Sequence, residues 1–168
     1  MTRMWRLIPA TILSLAALTA TAAGPDEPAE PTNALERRLL AAQKGEAPIG
    51  DFLERLVDAE VVLLSKRDVV ETRDPGDIPA LVIPGGEDGG EMLAVFTSPQ
   101  LAYRVAETYP EYRYGVRTEF LWVLAHTAPG LGVAINPGWT LGMRIPSYGL
   151  LRLRERYQDR IDELSEAP

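Results

Sequence analysis

Apolar positions along this chain recur at two spacings, and together they mark out about five helices and six strands. Leu35, Leu39 and Ala42 fall three to four residues apart, the spacing of one helix face. Asn33 precedes them and Glu36 follows three positions later. That is a capping box, in which the asparagine oxygen accepts an early backbone N–H and the glutamate reaches back. Gly45 ends the helix. Pro48 and Asp51 start a second short helix with Phe52, Leu53, Leu56 and Val57 on its apolar side. Val61–Leu64 is apolar on both sides and β-branched at its start, as an interior strand is. Ala80–Ile83 and Met92–Thr97 read as two more strands around Asp88-Gly89, a hairpin-turn pair because glycine supplies the positive φ. The glycines flanking it are not a phosphate cradle: no helix follows, no lysine accompanies them, and acids stand there instead.

Ser98 as N-cap and Pro99 at the first helical position open a third helix through Leu101, Ala102, Val105 and Ala106, which stops before Pro110. Tyr112, Tyr114 and Val116 alternate with period two and are placed on one strand face. Thr118–Thr127 is predicted as a short helix with Phe120, Leu121, Leu124 and Ala125 on its apolar side. Leu131, Val133 and Ile135 share a face of one strand, and Leu141, Met143 and Ile145 share a face of the next, around the turn Asn136-Pro137-Gly138. Leu150, Leu153, Tyr157, Ile161 and Leu164 then follow at helical spacing. Arginines and acids alternate between them, which reads as a solvated face with local ion pairs. Helices stand between strand pairs without a strict βαβ repeat. The expected fold is therefore a single α+β domain, a mixed and largely hairpin-built sheet of five to six strands with helices packed on it.

The first 22 residues follow a different grammar. Arg3 and Arg6 precede an apolar run over Leu7–Leu18, and Ala20-Thr21-Ala22 supplies small residues at an exit. That is a secretory signal peptide cut after Ala22; the run is too short to span a bilayer and Pro9 interrupts it. The expected organisation is a signal peptide at 1–22, a disordered proline- and acid-rich linker at 23–32, the domain at 33–164 and a short tail at 165–168. A periplasmic or secreted location follows, with no membrane insertion after cleavage.

Composition narrows the chemistry. The 168 residues include no cysteine and one histidine, which excludes disulfides, zinc–cysteine sites and a thiol nucleophile and leaves little for a metal site. Lysine and arginine number 17 against 24 acids, a formal charge of −7. Removing Arg3 and Arg6 with the signal peptide gives 15 − 24 = −9, so nucleic-acid partners are disfavoured. The stretch Ser65–Pro79 alternates in sign and reads as a solvated loop without the ligand density of a calcium site. No cofactor is expected. His126 reads as a helix C-terminal residue bonding the last carbonyls, and Ser98 as a cap.

The order of pieces resembles the N-terminal domain of SseB-type proteins (enhanced serine sensitivity). The matching stretches are Leu35–Gly45, Phe52–Leu64, Leu81–Pro84, Leu93–Ala102 and Pro129–Pro146, the last being the most specific. The family has no accepted catalytic residues, so the resemblance implies no catalytic position. It implies instead a regulatory or interaction role, in a family whose typical members look cytoplasmic and often carry a second domain. The signal peptide departs from that pattern and puts a cytoplasmic partner in doubt.

Two functions are therefore weighed. One is an exported non-catalytic binding or regulatory module with a protein partner. Tyr103, Tyr109, Tyr112, Tyr114, Phe120 and Trp122 fall within twenty residues, and amphipathic aromatics are favoured at interfaces; the bland alternative is that they are core. Trp139, Tyr112 and Tyr114 are the candidate binding residues. Trp139 is expected at the exposed tip of the last hairpin, the rival reading being a lid folded over the sheet edge. The other function is a small carboxylate-based hydrolase of the cell envelope, although no acid stands in an apolar context that would raise its pKa. Protein recovered from its host should begin at Ala23, read by intact-mass spectrometry. A terminus at Met1 or Thr2 would refute export by cleavage.

Overall fold

In the computed structural model, which describes residues 27–69, 78–85 and 90–166, the elements run α1 (Ala34–Gln43), α2 (Ile49–Val57), β1 (Glu60–Ser65), β2 (Val82–Pro84), β3 (Glu91–Phe96), α3 (Pro99–Thr108), β4 (Tyr114–Glu119), α4 (Phe120–His126), β5 (Gly132–Ile135), β6 (Met143–Ile145), α5 (Ser147–Arg156) and α6 (Gln158–Glu166). The signal peptide, the Asp88-Gly89 turn, residues 70–77 and the last two residues of the tail lie outside the described residues. The fold is a single α+β domain on an open, mixed, six-stranded sheet. Its strand order is β4-β1-β3-β5-β6, with β2 also paired to β3.

Hairpins build less of this sheet than expected. Only β2–β3 and β5–β6 join consecutive strands. The β1–β4 and β1–β3 pairs are antiparallel at long range, and β3–β5 is parallel. The cause is that α3 and α4 each carry the chain away from the strand just completed. β1 is buried from Val61 to Ser65 and β3 from Met92 to Phe96, as a strand covered on both faces must be.

One face carries the larger core. Val61, Leu63, Val95, Val133 and Ile135 pack there against Leu39 of α1, Phe52 and Leu56 of α2, Phe120 and Leu124 of α4, and Leu150 of α5. The opposite face presents Val62, Leu64, Ala94 and Phe96 to Leu101 and Ala102 of α3. Val133 pairs with Ile145, and Ile135 with Met143, so the two apolar sets of the last hairpin meet on a single face.

Several expectations shift. β4 continues to Glu119, so Thr118 and Glu119 are strand and the helix begins at Phe120. The last helix divides into two at Tyr157. Its charges are not chiefly local pairs: Arg156 reaches Glu54 at 2.5 Å and Arg160 reaches Asp58 at 2.8 Å, both acids of α2. Arg154 is half-buried, its guanidinium donating to the carbonyls of Leu124 and Thr127 at the end of α4. Those carbonyls have no partner within their own helix, which is why an arginine serves there. Residues 27–31, expected as disordered linker, run along the last hairpin instead. Glu27 N–H donates to Gly138 O and Thr140 N–H to Glu27 O, each at 2.9 Å.

A polar cluster joins α1 to the ends of β3 and β5. Asn33 Oδ1 accepts the Glu36 N–H at 2.8 Å, the expected half of the capping box. Glu36 itself is fully buried. Its Oε2 accepts from the Thr32 N–H at 2.7 Å and the Thr32 hydroxyl at 2.8 Å, one residue before the cap. Its Oε1 accepts from the Thr97 hydroxyl at 2.8 Å. Asn136, at φ 47°, accepts the Thr97 N–H through Oδ1 at 2.9 Å and donates through Nδ2 to Thr97 Oγ1 and Leu141 O. Asn33 Nδ2 donates to Thr97 O at 3.1 Å. Ser98 is not the expected side-chain cap: it makes no capping hydrogen bond, and its buried Oγ is without a partner.

Burial alone would push the Glu36 carboxyl up, but the Thr32 N–H and the Thr32 and Thr97 hydroxyls outweigh it and hold the group below its ordinary value of 4.5. A lowered folded-state pKa means the contribution to stability is complete above pH 4.5 and is lost as pH falls through the lower, folded value. Glu36→Gln should therefore cost about 1–3 kcal/mol at pH 7, measured by urea unfolding, and the deficit should shrink at pH 3. An equal deficit at both pH values would contradict the assignment.

Candidate binding surface

Among the described residues, α3 is the one helix whose side chains pack on its face of the sheet. A single helix leaves strand surface beside it, and aromatic side chains fill the margins. Tyr109, Tyr112 and Trp139 are half-buried against this smaller core. Tyr103, on the outer side of α3, is 56% exposed. A Cβ on Gly115 would stand 3.6 Å from the Tyr103 hydroxyl, an ordinary contact, so the ring lies over the start of β4.

The three sequence-predicted residues do not form one patch. Tyr112 precedes β4 rather than belonging to it, so the expected alternation with Tyr114 breaks. It packs on the α3 face, with the Lys66 ammonium 4.7 Å from its ring centroid, a cation–π contact. Tyr114 pairs with Ser65, which places it on the opposite face with Leu63 and Val116. Its ring lies under the Arg113 guanidinium at 5.1 Å, and its hydroxyl accepts from Arg113 Nη2 at 3.0 Å. Trp139 is not an exposed tip. Its indole folds onto the α3 core, and Nε1 donates to Leu101 O at 3.2 Å. The backbone of Glu27 bridges the same residue. A large ring beside an apolar surface is stabilised by covering it, and the indole N–H finds a carbonyl as it does so. The lid alternative describes the placement.

Tyr103 and Lys66 complete the surface without having been selected as site residues. Lys66 follows a buried strand by one residue, and strand alternation sets it on the same face as Val62 and Leu64. That was a readable signal, obscured by the charged loop it opens.

Residues considered for catalysis have structural occupations. Glu36, which the sequence offers only as a capping residue, is shifted down, the wrong direction for a general acid. His126 Nδ1–H donates to Trp122 O at 2.8 Å, and its ring lies 4.6 Å from the Trp122 ring. A shallow depression of ≈ 350 Å³ between α1 and α2 is lined by Arg37, Arg38 and Asp51, remote from the aromatic surface in the fold.

A family model, the SseB protein N-terminal domain, matches residues 35–150. The matched span takes in every strand of the sheet and ends within α5. No curated protein and no solved structure matches the chain.

Trp139→Ala should cost about 2–3 kcal/mol of stability in chemical denaturation, as for truncation of a ring that covers a core. Trp139→Phe, which keeps the ring and loses the bond to Leu101 O, should cost about 1 kcal/mol. A change below about 0.5 kcal/mol for the alanine variant would return Trp139 to the solvent.

Proposed function

Because the chain belongs to the SseB protein N-terminal domain family, we propose that it is an exported, non-catalytic binding or regulatory module that holds a protein partner on the α3 face. The observation that carries this reading is Tyr103. A ring 56% exposed, lying over Gly115 of β4 on the face where Lys66 stands over Tyr112, brings apolar area, a hydroxyl and a cation to one face. Tyrosine anchors of that kind dominate protein interfaces because they bring large contact area with few rotatable bonds. Arg104 on the same helix is paired with Glu27 at 3.2 Å and Glu107 at 3.8 Å, which gives the surface the polar rim that interfaces show. Export rests on the Met1–Ala22 pattern. It makes a partner in the periplasm or outside the cell the one to seek.

The test compares Tyr103→Ala with the unaltered protein as bait in the exported fraction of the host. The substitution should leave stability within about 0.5 kcal/mol and weaken capture of the specific partner at least tenfold, the loss of a central aromatic anchor. Unchanged capture by a folded Tyr103→Ala protein would remove the α3 face from the function.

A further inference from the structure

The outer edge of β4 points to a different interaction, independent of the partner on the α3 face. β4 ends the strand order, and its six residues pair one-to-one with β1 without a bulge. Exposed edges are ordinarily blunted by proline, charged side chains, a bulge or a very short strand; β4 has no proline and no bulge, and its two charges, Arg117 and Glu119, are of opposite sign, whereas β6 at the other edge is three residues long. Antiparallel alternation fixes which backbone groups are free. Phe120 N–H donates to Ala59 O, so the even-numbered residues turn their N–H and C=O toward β1. Gly115, Arg117 and Glu119 turn theirs outward.

We infer that this edge pairs antiparallel with the β4 of a second copy, about a two-fold axis at Val116. The sequence is self-complementary in that register. Gly115 and Arg117 stand opposite the partner copy's Arg117 and Gly115, and their outward N–H and C=O groups exchange hydrogen bonds. Arg113 stands opposite the second copy's Glu119, which forms no ion pair among the described residues. Tyr114 meets Thr118, and Val116 meets itself. Moving the axis to Gly115 sets Arg113 against Arg117, and moving it to Arg117 sets that arginine against itself, like charges that destabilise a ladder. Axes farther out leave three residues of β4 or fewer in register. Charge therefore selects one arrangement from those the backbone permits, and the resulting contact is closed and two-fold.

The absence of cysteine makes the test direct. At the axis the two Val116 positions form a non-hydrogen-bonded pair with Cα atoms about 4.5 Å apart, within disulfide reach. Thr118 in the two copies would be about 14 Å apart, four residues out of step. Under mild oxidation Val116→Cys should become a disulfide-linked dimer and Thr118→Cys should not. Light scattering should give twice the chain mass for the unaltered protein. Glu119→Arg should weaken the dimer at least tenfold, and adding Arg113→Glu should restore it. A monomer at every accessible concentration, equal crosslinking at both cysteine positions, or a dimer indifferent to Glu119→Arg and unrestored by the charge swap would overturn the inference.

Discussion

A carboxylate that no water reaches must be surrounded by donors, and meeting that demand at Glu36 determines how the first helix meets the sheet. Thr32, Asn33 and Glu36 come from the start of α1, Thr97 follows β3, and Asn136 follows β5. β3 and β5 are the parallel pair, which no hairpin holds together. The cluster does that work at their ends. Asn136 is central because one amide both accepts and donates there, and because asparagine tolerates the left-handed conformation better than most residues. An apolar residue at position 36 would leave several buried donors without acceptors, a larger loss than the hydrogen bonds themselves are worth.

The layers on the two faces of the sheet are unequal. Among the described residues, five helices serve one face and α3 alone serves the other. Aromatic residues make up the difference: Trp139 at one end of α3, Tyr109 and Tyr112 at the other. Each is half-buried against the α3 core, and the Trp139 N–H finds the Leu101 carbonyl as the ring covers it, which suits a boundary between core and water. The same property that closes a thin layer is the one the proposed recognition role would draw on.

Much of the fold was legible because its signals are local. The Asn33 cap, the interior run at Val61–Leu64 and the turn at Asn136-Pro137-Gly138 each depend on neighbours a few residues away. What was not legible depended on distance. Glu36 reads as half of a capping box, and nothing local says that its other oxygen meets Thr97 sixty-one residues on. Arg154 reads as surface charge, because the carbonyls it serves belong to another helix. Tyr112 was grouped with Tyr114 by period-two spacing, yet the strand begins only at Tyr114. For Trp139 the sequence left two placements open, and the α3 core beneath the indole, visible only in three dimensions, decided between them.

The interleaved strand order has a kinetic consequence. β1 pairs Val62 with Phe96 on one side and Arg117 on the other, partners 34 and 55 residues downstream. Loops of that length must close before either ladder forms, and the entropy of closure is spent ahead of the contacts that offset it. A chain growing or threading from its N-terminus holds β1, an interior strand, with a missing neighbour until Glu119 has arrived. The sheet therefore assembles as a single late, cooperative event, and a chain halted earlier leaves the apolar flank of β1 open to whatever strand is nearest.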